Sequence, residues 1–281
     1  MIGEDLRNLS RKYTIGGHIS VAGGLHKGPE RAGEFGFPTF QFFSKNQMRW
    51  ASPPLKDEEA EAFITAVDRY SIKSTMIHAS YLINLASPDE SLYRRSEEAF
   101  HDEILRSDRL RATFLTVHPG SNPDRKNGLE RARDLISTVG NHNVIILIEN
   151  TAGQGNVIGT ELEEVASIID VSDKRVGVCI DTCHAWASGY DLAHSYEAFI
   201  DSLDNIIGLE RVYAFHLNDA KREMGSRIDR HELIGKGTID GGLIKLIGDE
   251  RLREKPKIME TPFGEAKFEE NLRYIKSEIG E

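Results

Sequence analysis

Positions 144–148 read Val-Ile-Ile-Leu-Ile, five apolar residues with no polar alternate. A strand with one face in water alternates apolar and polar side chains. An unbroken run fits a strand buried on both faces, the condition of a parallel sheet covered by helices. Similar short β-like runs occur at 14–19, 39–43, 74–78, 113–118, 176–181, 211–216 and 257–260. Between them lie stretches with apolar residues at helical spacing, such as Ala60, Phe63, Ile64 and Val67. Helices are predicted at 25–35, 56–70, about 88–109, 129–139, 160–169, 196–207, 241–249 and 267–278. Thr160 reads as the N-cap of its helix, with Glu163 completing a capping box. Roughly eight β/α units in succession predict the α/β class and a (β/α)8 TIM barrel. A doubly wound open sheet is the alternative, but no GxGxxG follows the first strand.

The 281 residues, 39% hydrophobic and 28% charged, suffice for one such barrel without disulfide staples, and no composition shift marks a domain boundary, so the expectation is a single domain over 1–281. Cys179 and Cys183 have neither redox nor four-cysteine zinc spacing, which points to a reducing, intracellular compartment. The first residues are charged and lack an apolar run, and no window approaches the ~18 apolar residues of a membrane span. A net charge of −10 argues weakly against nucleic acid as a partner. Carboxylates that hold cations belong in a separate count, because bound metal reverses the local field.

The polar residues at the ends of the runs are specific. His78, His118, Glu149, Asp181, His216 and Glu260 each close one; His184 follows three residues after Asp181, and Asp229 and His231 lie in the next loop. Barrel active sites form at the carboxyl ends of the strands. A lone strand-end histidine is ordinarily a satisfied polar residue, but burying four carboxylates together is costly unless cations neutralise them. Nine candidate donors of imidazole and carboxylate type exceed one tetrahedral site and suit two or three zinc-like ions of the kind found in hydrolytic and phosphoryl-transfer enzymes. His216, Asp229 and His231 alone would read as one compact site.

These residues stand in motifs that resemble endonuclease IV, the zinc-dependent abasic-site endonuclease family of base-excision repair. The resemblance runs through GGHISVAGGL (16–25), KNQMRW (45–50), HASYLINLA (78–86), HPGS (118–121), IENTAGQG (148–155), CIDTCHAWASGYD (179–191), HLNDAK (216–221), GSRIDRH (225–231) and METP (259–262). It covers nearly the whole chain after an amino-terminal extension over 1–13. It implies a barrel with three metal ions, normally Zn2+, with Mn2+ able to occupy some sites. His78, His118 and Glu149 would hold the first ion. Glu149 would bridge to a second held by Asp181, His216 and Glu260; His184, Asp229 and His231 would hold the third. Glu149 is the implied catalytic residue, orienting the attacking water.

The resemblance further implies cleavage of duplex DNA 5′ to an abasic site, leaving a 3′-hydroxyl and a 5′-deoxyribose phosphate, and trimming of blocked 3′ ends. The DNA is bent and the abasic nucleotide flipped out. Tyr81 and Leu82 match residues pushed into the base stack. In KNQMRW, Met48 stands where the family often has arginine and Arg49 follows, so either is the inserted residue. Lys236 stands where an acidic residue is common, as a phosphate contact or a solvated lysine. Lys45, Lys221, Arg222, Arg227 and Arg230 read as a phosphate-contacting rim. Cys183 reads as a small buried residue, His18 as a neighbour of the site without a metal, and His26, His101, His142 and His194 as surface or capping residues. The enzyme is expected to act in the cytoplasm, at the nucleoid, as a monomer with no obligate protein partner. A metal-dependent sugar isomerase or epimerase would share the barrel but need no third site; a non-catalytic nucleic-acid binder would not need nine donors.

Overall fold

The computed structural model describes residues 2–140, 142–171 and 175–280. The first half runs α1 (Glu4–Tyr13), β1 (Ile15–His18), α2 (Lys27–Phe35), β2 (Thr39–Phe42), α3 (Asp57–Arg69), β3 (Ser74–His78), α4 (Glu90–Arg109), β4 (Phe114–Val117) and α5 (Arg125–Thr138). It continues with β5 (Ile145–Glu149), α6 (Leu162–Ile169), β6 (Val176–Asp181), α7 (Thr182–Ser188), α8 (Tyr196–Ile206) and β7 (Val212–His216). The last elements are β8 (Asp219–Ala220), β9 (His231–Glu232), α9 (Gly242–Gly248), β10 (Lys257–Met259) and α10 (Phe268–Ile279).

Strands β1 to β7 and β10 pair in parallel and close in the order β1-β10-β7-β6-β5-β4-β3-β2. Closure is explicit at β1, where Gly17 registers with Met259 on one side and Phe40 on the other. This is the TIM barrel, not the open sheet. Gly17 is required there because a Cβ would sit 2.3 Å from the ring of Phe268, which α10 presses against the barrel wall. No helix among the described residues is long and apolar enough to cross a membrane.

Two apolar clusters follow from the strand period. The larger lies between strands and helices. The smaller is the barrel interior, with Met76, Phe114, Leu147, Cys179, Ala214 and Ile258 each supplied by a different strand. Residues two apart on a strand face the same way. Two positions beyond these six, toward the carboxyl ends, stand His78, Thr116, Glu149, Asp181, His216 and Glu260. An apolar plug thus carries a polar layer directly above it.

Most predicted elements are trimmed by a residue or two. α5 begins earlier than expected, at Arg125, because Asp124 caps it by accepting the Asn127 N–H at 3.1 Å. The capping box at α6 is absent. Glu161 is the N-cap, and the carboxylate that reaches back is Glu164, accepting the N–H groups of Gly159 and Thr160 at 3.0 and 2.9 Å. The Thr160 hydroxyl instead meets that of Thr151 at 3.3 Å. α1 and α7 are additional helices. α1 buries Leu6, Leu9 and Tyr13 and is tied to α10 by the Lys276–Asp5 pair at 2.6 Å. His142 is buried rather than on the surface, its Nδ1 2.7 Å from the Val144 carbonyl.

At the amino end of β10, the end opposite the polar layer, Lys257 is fully buried. Its ammonium donates to the carbonyls of Leu252, Lys255, Tyr13 and Arg253 at 2.8, 3.0, 3.2 and 3.3 Å. Lys257→Met leaves these carbonyls short of a donor and is expected to cost roughly 1–3 kcal/mol, measured by urea denaturation.

Candidate metal centre

The nine candidate donors, six at strand ends and three from α7 and the 221–231 segment, converge in space. Three groups have ligand atoms all within 4.8 Å of one another: His78, His118 and Glu149; Glu149, Asp181, His216 and Glu260; and His184, Asp229 and His231. Glu149 belongs to two of them. Asp181, Cys183 and His231 make a fourth group. The Cys183 sulfur lies 3.6 Å from the Arg230 carbonyl, and burial pushes its thiol up, away from the thiolate a metal needs.

Local structure sets each donor. His78, Glu149 and His216 end β3, β5 and β7, and His118 and Glu260 follow directly after β4 and β10. The Asp-x-x-His spacing at 181–184 is a helix start. The Asp181 side chain caps α7 by accepting the His184 N–H at 2.8 Å, which puts imidazole and carboxylate on one turn. β8 and β9 form a small antiparallel hairpin, with Ala220 opposite His231, so the expected loop is partly ordered as a ribbon. Its bend returns Asp229 and His231 to His184.

One nitrogen of four of the histidines is occupied from behind. The Nδ1 atoms of His78, His184 and His231 face the carbonyls of Ala79, Asn150 and Glu260 at 2.8, 3.0 and 3.2 Å. Each Nε2 then points at carboxylate: His78 at Glu149 (3.3 Å), His184 at Asp229 (3.3 Å), and His231 at Asp229 (3.3 Å) and Asp181 (3.6 Å). His216 is reversed. Its Nε2 meets the Gln41 side-chain oxygen at 2.8 Å, leaving Nδ1 toward Glu149 at 3.0 Å and Glu260 at 3.2 Å. Such backing fixes tautomer and ring orientation in metal sites.

Gln41, Asn150 and Asn218 are the residues that sequence reading missed. The Gln41 amide also donates to His18 Nδ1 at 3.0 Å and to Glu260. Asn218 donates to Asp181 at 2.7 Å and accepts from the Glu260 N–H at 2.8 Å. Asn150 accepts from the Asp181 N–H at 2.7 Å. The available signal was a polar residue inside an apolar strand, the Gln of Thr-Phe-Gln-Phe at 39–42.

Among the described residues, the charge partners within 4.0 Å of these four carboxylates are imidazoles. Burial opposes ionisation of Glu149, yet the surrounding histidines, His118 and His216 foremost, hold it well below the usual carboxyl range. Burial also opposes charge on His184, but Asp181 and then Asp229 hold it well above the ordinary imidazole range. Asp229 is held down at about 2, burial being outweighed by His184. Glu149 Oε2 is buried without a hydrogen-bond partner, with the Nε2 atoms of His78 and His118 each 3.3 Å away. An oxygen left bare between two imidazole nitrogens, in a set rich in negative charge, fits a divalent cation.

Around the centre, Met48 and Tyr81 are 68% and 59% exposed. Met224 and Ile228, between β8 and β9, and Phe263, after β10, are further exposed apolar residues, none read from the sequence as contacts. Arg49, Arg230, Lys221, Arg222 and Arg227 are exposed and Leu82 is half-buried. Lys45 departs from the expected rim. Its ammonium is buried and pairs with Asp102 at 2.5 Å and Glu103 at 3.5 Å, so it is not presented to a ligand. Lys236 is exposed and paired with Glu270. A cavity of about 290 Å³ opens beside the donors, between His18, Phe43, Tyr81, His231, Glu260 and Gly264. A cavity of about 880 Å³ around Tyr196, Lys245 and Arg251 contains no donor.

The chain matches the family described as "Xylose isomerase-like TIM barrel" over residues 29–278. It is 77% identical to "Probable endonuclease 4" of Thermoplasma acidophilum over 281 residues, covering 100% of both chains. Among solved structures it matches endonuclease IV from Thermus thermophilus with TM-score 0.86 and 36% identity, covering 94% of this chain and 98% of that one. A D-tagatose 3-epimerase-like protein, 21% identical with TM-score 0.71 over 95% of this chain and 98% of its own, shares the fold.

Gln41→Leu removes the support of His216 and one donor to Glu260. Affinity for a divalent metal ion is expected to fall about 10–100-fold, read by chelator competition and elemental analysis. Wild-type retention of metal by this variant would overturn the backing role.

Proposed function

This chain belongs to the endonuclease IV family, a family of hydrolytic nucleases, and from that premise we propose the chemistry of its centre. The substrate is duplex DNA with an abasic site, cut on the 5′ side to leave a 3′-hydroxyl and a 5′-deoxyribose phosphate; blocked 3′ ends are trimmed at the same centre. The observation that carries this reading is the sharing of Glu149 between two donor groups, with a third group beside them. His78, His118 and Glu149 would hold one ion; Glu149, Asp181, His216 and Glu260 would hold a second; His184, Asp229 and His231 would hold a third. Zinc suits the mixed imidazole and carboxylate donors, with manganese accepted in some sites. When bound, the ions lower the pKa of water and neutralise charge on the phosphate.

The chain's own groups supply the rest. Glu149, fixed between His78, His118 and His216, orients the water that attacks phosphorus in line with the departing 3′ oxygen. The new bond is water oxygen to phosphorus, the broken bond is phosphorus to O3′, and the proton given up ends on O3′. The rings of His78, His184, His216 and His231 cannot swing away because their second nitrogens are engaged. Met48, Tyr81 and Leu82 enter the base stack, where an absent base makes unstacking least costly. Arg49 and Arg230, with the neighbouring basic residues of the 221–230 loop, contact phosphates. We read the whole chain as one barrel domain acting as a monomer in the cytoplasm, where its DNA substrate resides. A sugar isomerase or epimerase on this barrel would leave the third donor group and the exposed apolar rim without use.

A duplex with one tetrahydrofuran abasic analogue is expected to be incised by metal-loaded protein and spared after chelation. Because this analogue resists β-elimination, incision reports hydrolysis, and intact DNA with metal bound would refute the reading. Glu149→Gln is expected to lose incision by at least about a hundredfold while gel-shift affinity for the same duplex persists; cleavage near the wild-type rate would remove Glu149 from its role.

A further inference from the structure

Met48 and Tyr81 lie on different loops, after β2 and after β3. Neither loop is held by its own strand alone. The Ser80 hydroxyl donates to the Gln47 carbonyl at 2.6 Å and accepts the Leu82 N–H at 3.3 Å, so one side chain joins the residues adjoining Met48 and Tyr81. The Tyr81 ring packs edge-on against Phe43 at 5.4 Å.

The first loop is also fastened along its length to α4. Ser44 donates to Glu103 at 2.6 Å, and Lys45 pairs with Asp102 and Glu103. Both the Lys45 and the Glu103 side chains are only 1% exposed, so this is an internal ion pair. Further along, Arg95 stacks on Trp50 at 4.6 Å, and Arg106 and Arg109 donate to the carbonyls of Pro53 and Leu55. Five residues of one loop held by one helix is more attachment than a passive connection needs, since surface loops ordinarily keep their polar groups in water.

We propose that Ser80, Lys45 and Glu103 are positioning residues that join the two loops to α4 as one preassembled platform for distorting DNA. This rests on the functional reading above, in which Met48 and Tyr81 enter the base stack. A flexible pair of loops would lose binding energy to ordering each apolar tip on the DNA; a platform already set does not. The buried cation that first reads as a phosphate contact serves this purpose from beneath.

The test uses metal-loaded full-length protein and a duplex with a tetrahydrofuran site next to 2-aminopurine, whose fluorescence rises on unstacking. Ser80→Ala and Glu103→Gln are expected to raise KM by about tenfold with kcat at saturating DNA within about twofold of wild type. Both should reduce the stopped-flow fluorescence rise that precedes incision. Lys45→Arg, which keeps the cation, should retain most of that rise where Lys45→Met does not. Metal content and melting temperature are recorded for each variant. Wild-type KM and fluorescence amplitude in Ser80→Ala, which removes only one hydroxyl, would overturn the proposal. So would kcat falling in step with melting temperature in every variant. Failure of wild-type protein to incise would instead overturn the functional reading.

Discussion

Like charges crowded into a protein interior repel strongly: at 4 Å and an effective dielectric of 20 the energy is about 4 kcal/mol per pair. Glu149, Asp181 and Glu260 stand together above the apolar plug of the barrel, with Asp229 at their edge, so this structure depends on positive charge arriving among them. In the protein alone it comes from imidazole. Against burial, His184 is held well above its ordinary range by Asp181 and Asp229, and His216 by Cys179 and then by Glu149 and Glu260. Cations do the same work with more charge in less space, and they displace protons in doing so. Amides cannot substitute. Gln41, Asn150 and Asn218 aim the charged groups without adding charge, which explains why they sit behind the donors.

The architecture was legible because buried parallel strands leave a plain trace. Each apolar run ended at the residue where the sheet meets the centre, and counting by two from Met76, Leu147 or Ala214 reaches a donor. α1 and α7 left weaker traces: α7 follows β6 without a loop and is buried from Thr182 to Ala187, so it has no one-sided apolar pattern, and the apolar face of α1 is scattered among charges. The nine donors were nameable because imidazole and carboxylate at strand ends are chemically conspicuous. Their backing groups were not, since an amide inside a strand signals nothing until its partner from a strand remote in sequence is known. His216 and Gln41 are 175 residues apart. Lys45 failed for a related reason. Basic residues in loops are ordinarily solvated, and only the packing of α4 shows that this one points inward.

The barrel is shared with sugar epimerases at low identity, so the fold carries little of the functional distinction. The features that bear on function in this chain are carried at the strand ends. The β8–β9 hairpin returns Asp229 and His231 over His184, and the loops after β2 and β3 raise apolar side chains into solvent. An enclosed small-molecule site has no use for a side chain such as Met48, two-thirds exposed. The stacked DNA of the proposed function does.

Asp181 holds two offices at once: it caps α7 through one oxygen and faces His216, His231 and Asn218 through the other. The helix it starts has only seven residues and carries His184 in its first turn. Local folding and donor geometry are therefore inherited as one trait. Drift at this position cannot tune the chemistry while sparing the backbone, or the reverse, and exchange for glutamate would lengthen one reach at the expense of the other. The mutational latitude of the centre is narrowest here, where a residue's neighbours in the chain and its neighbours in space make separate demands on the same three atoms of carboxylate.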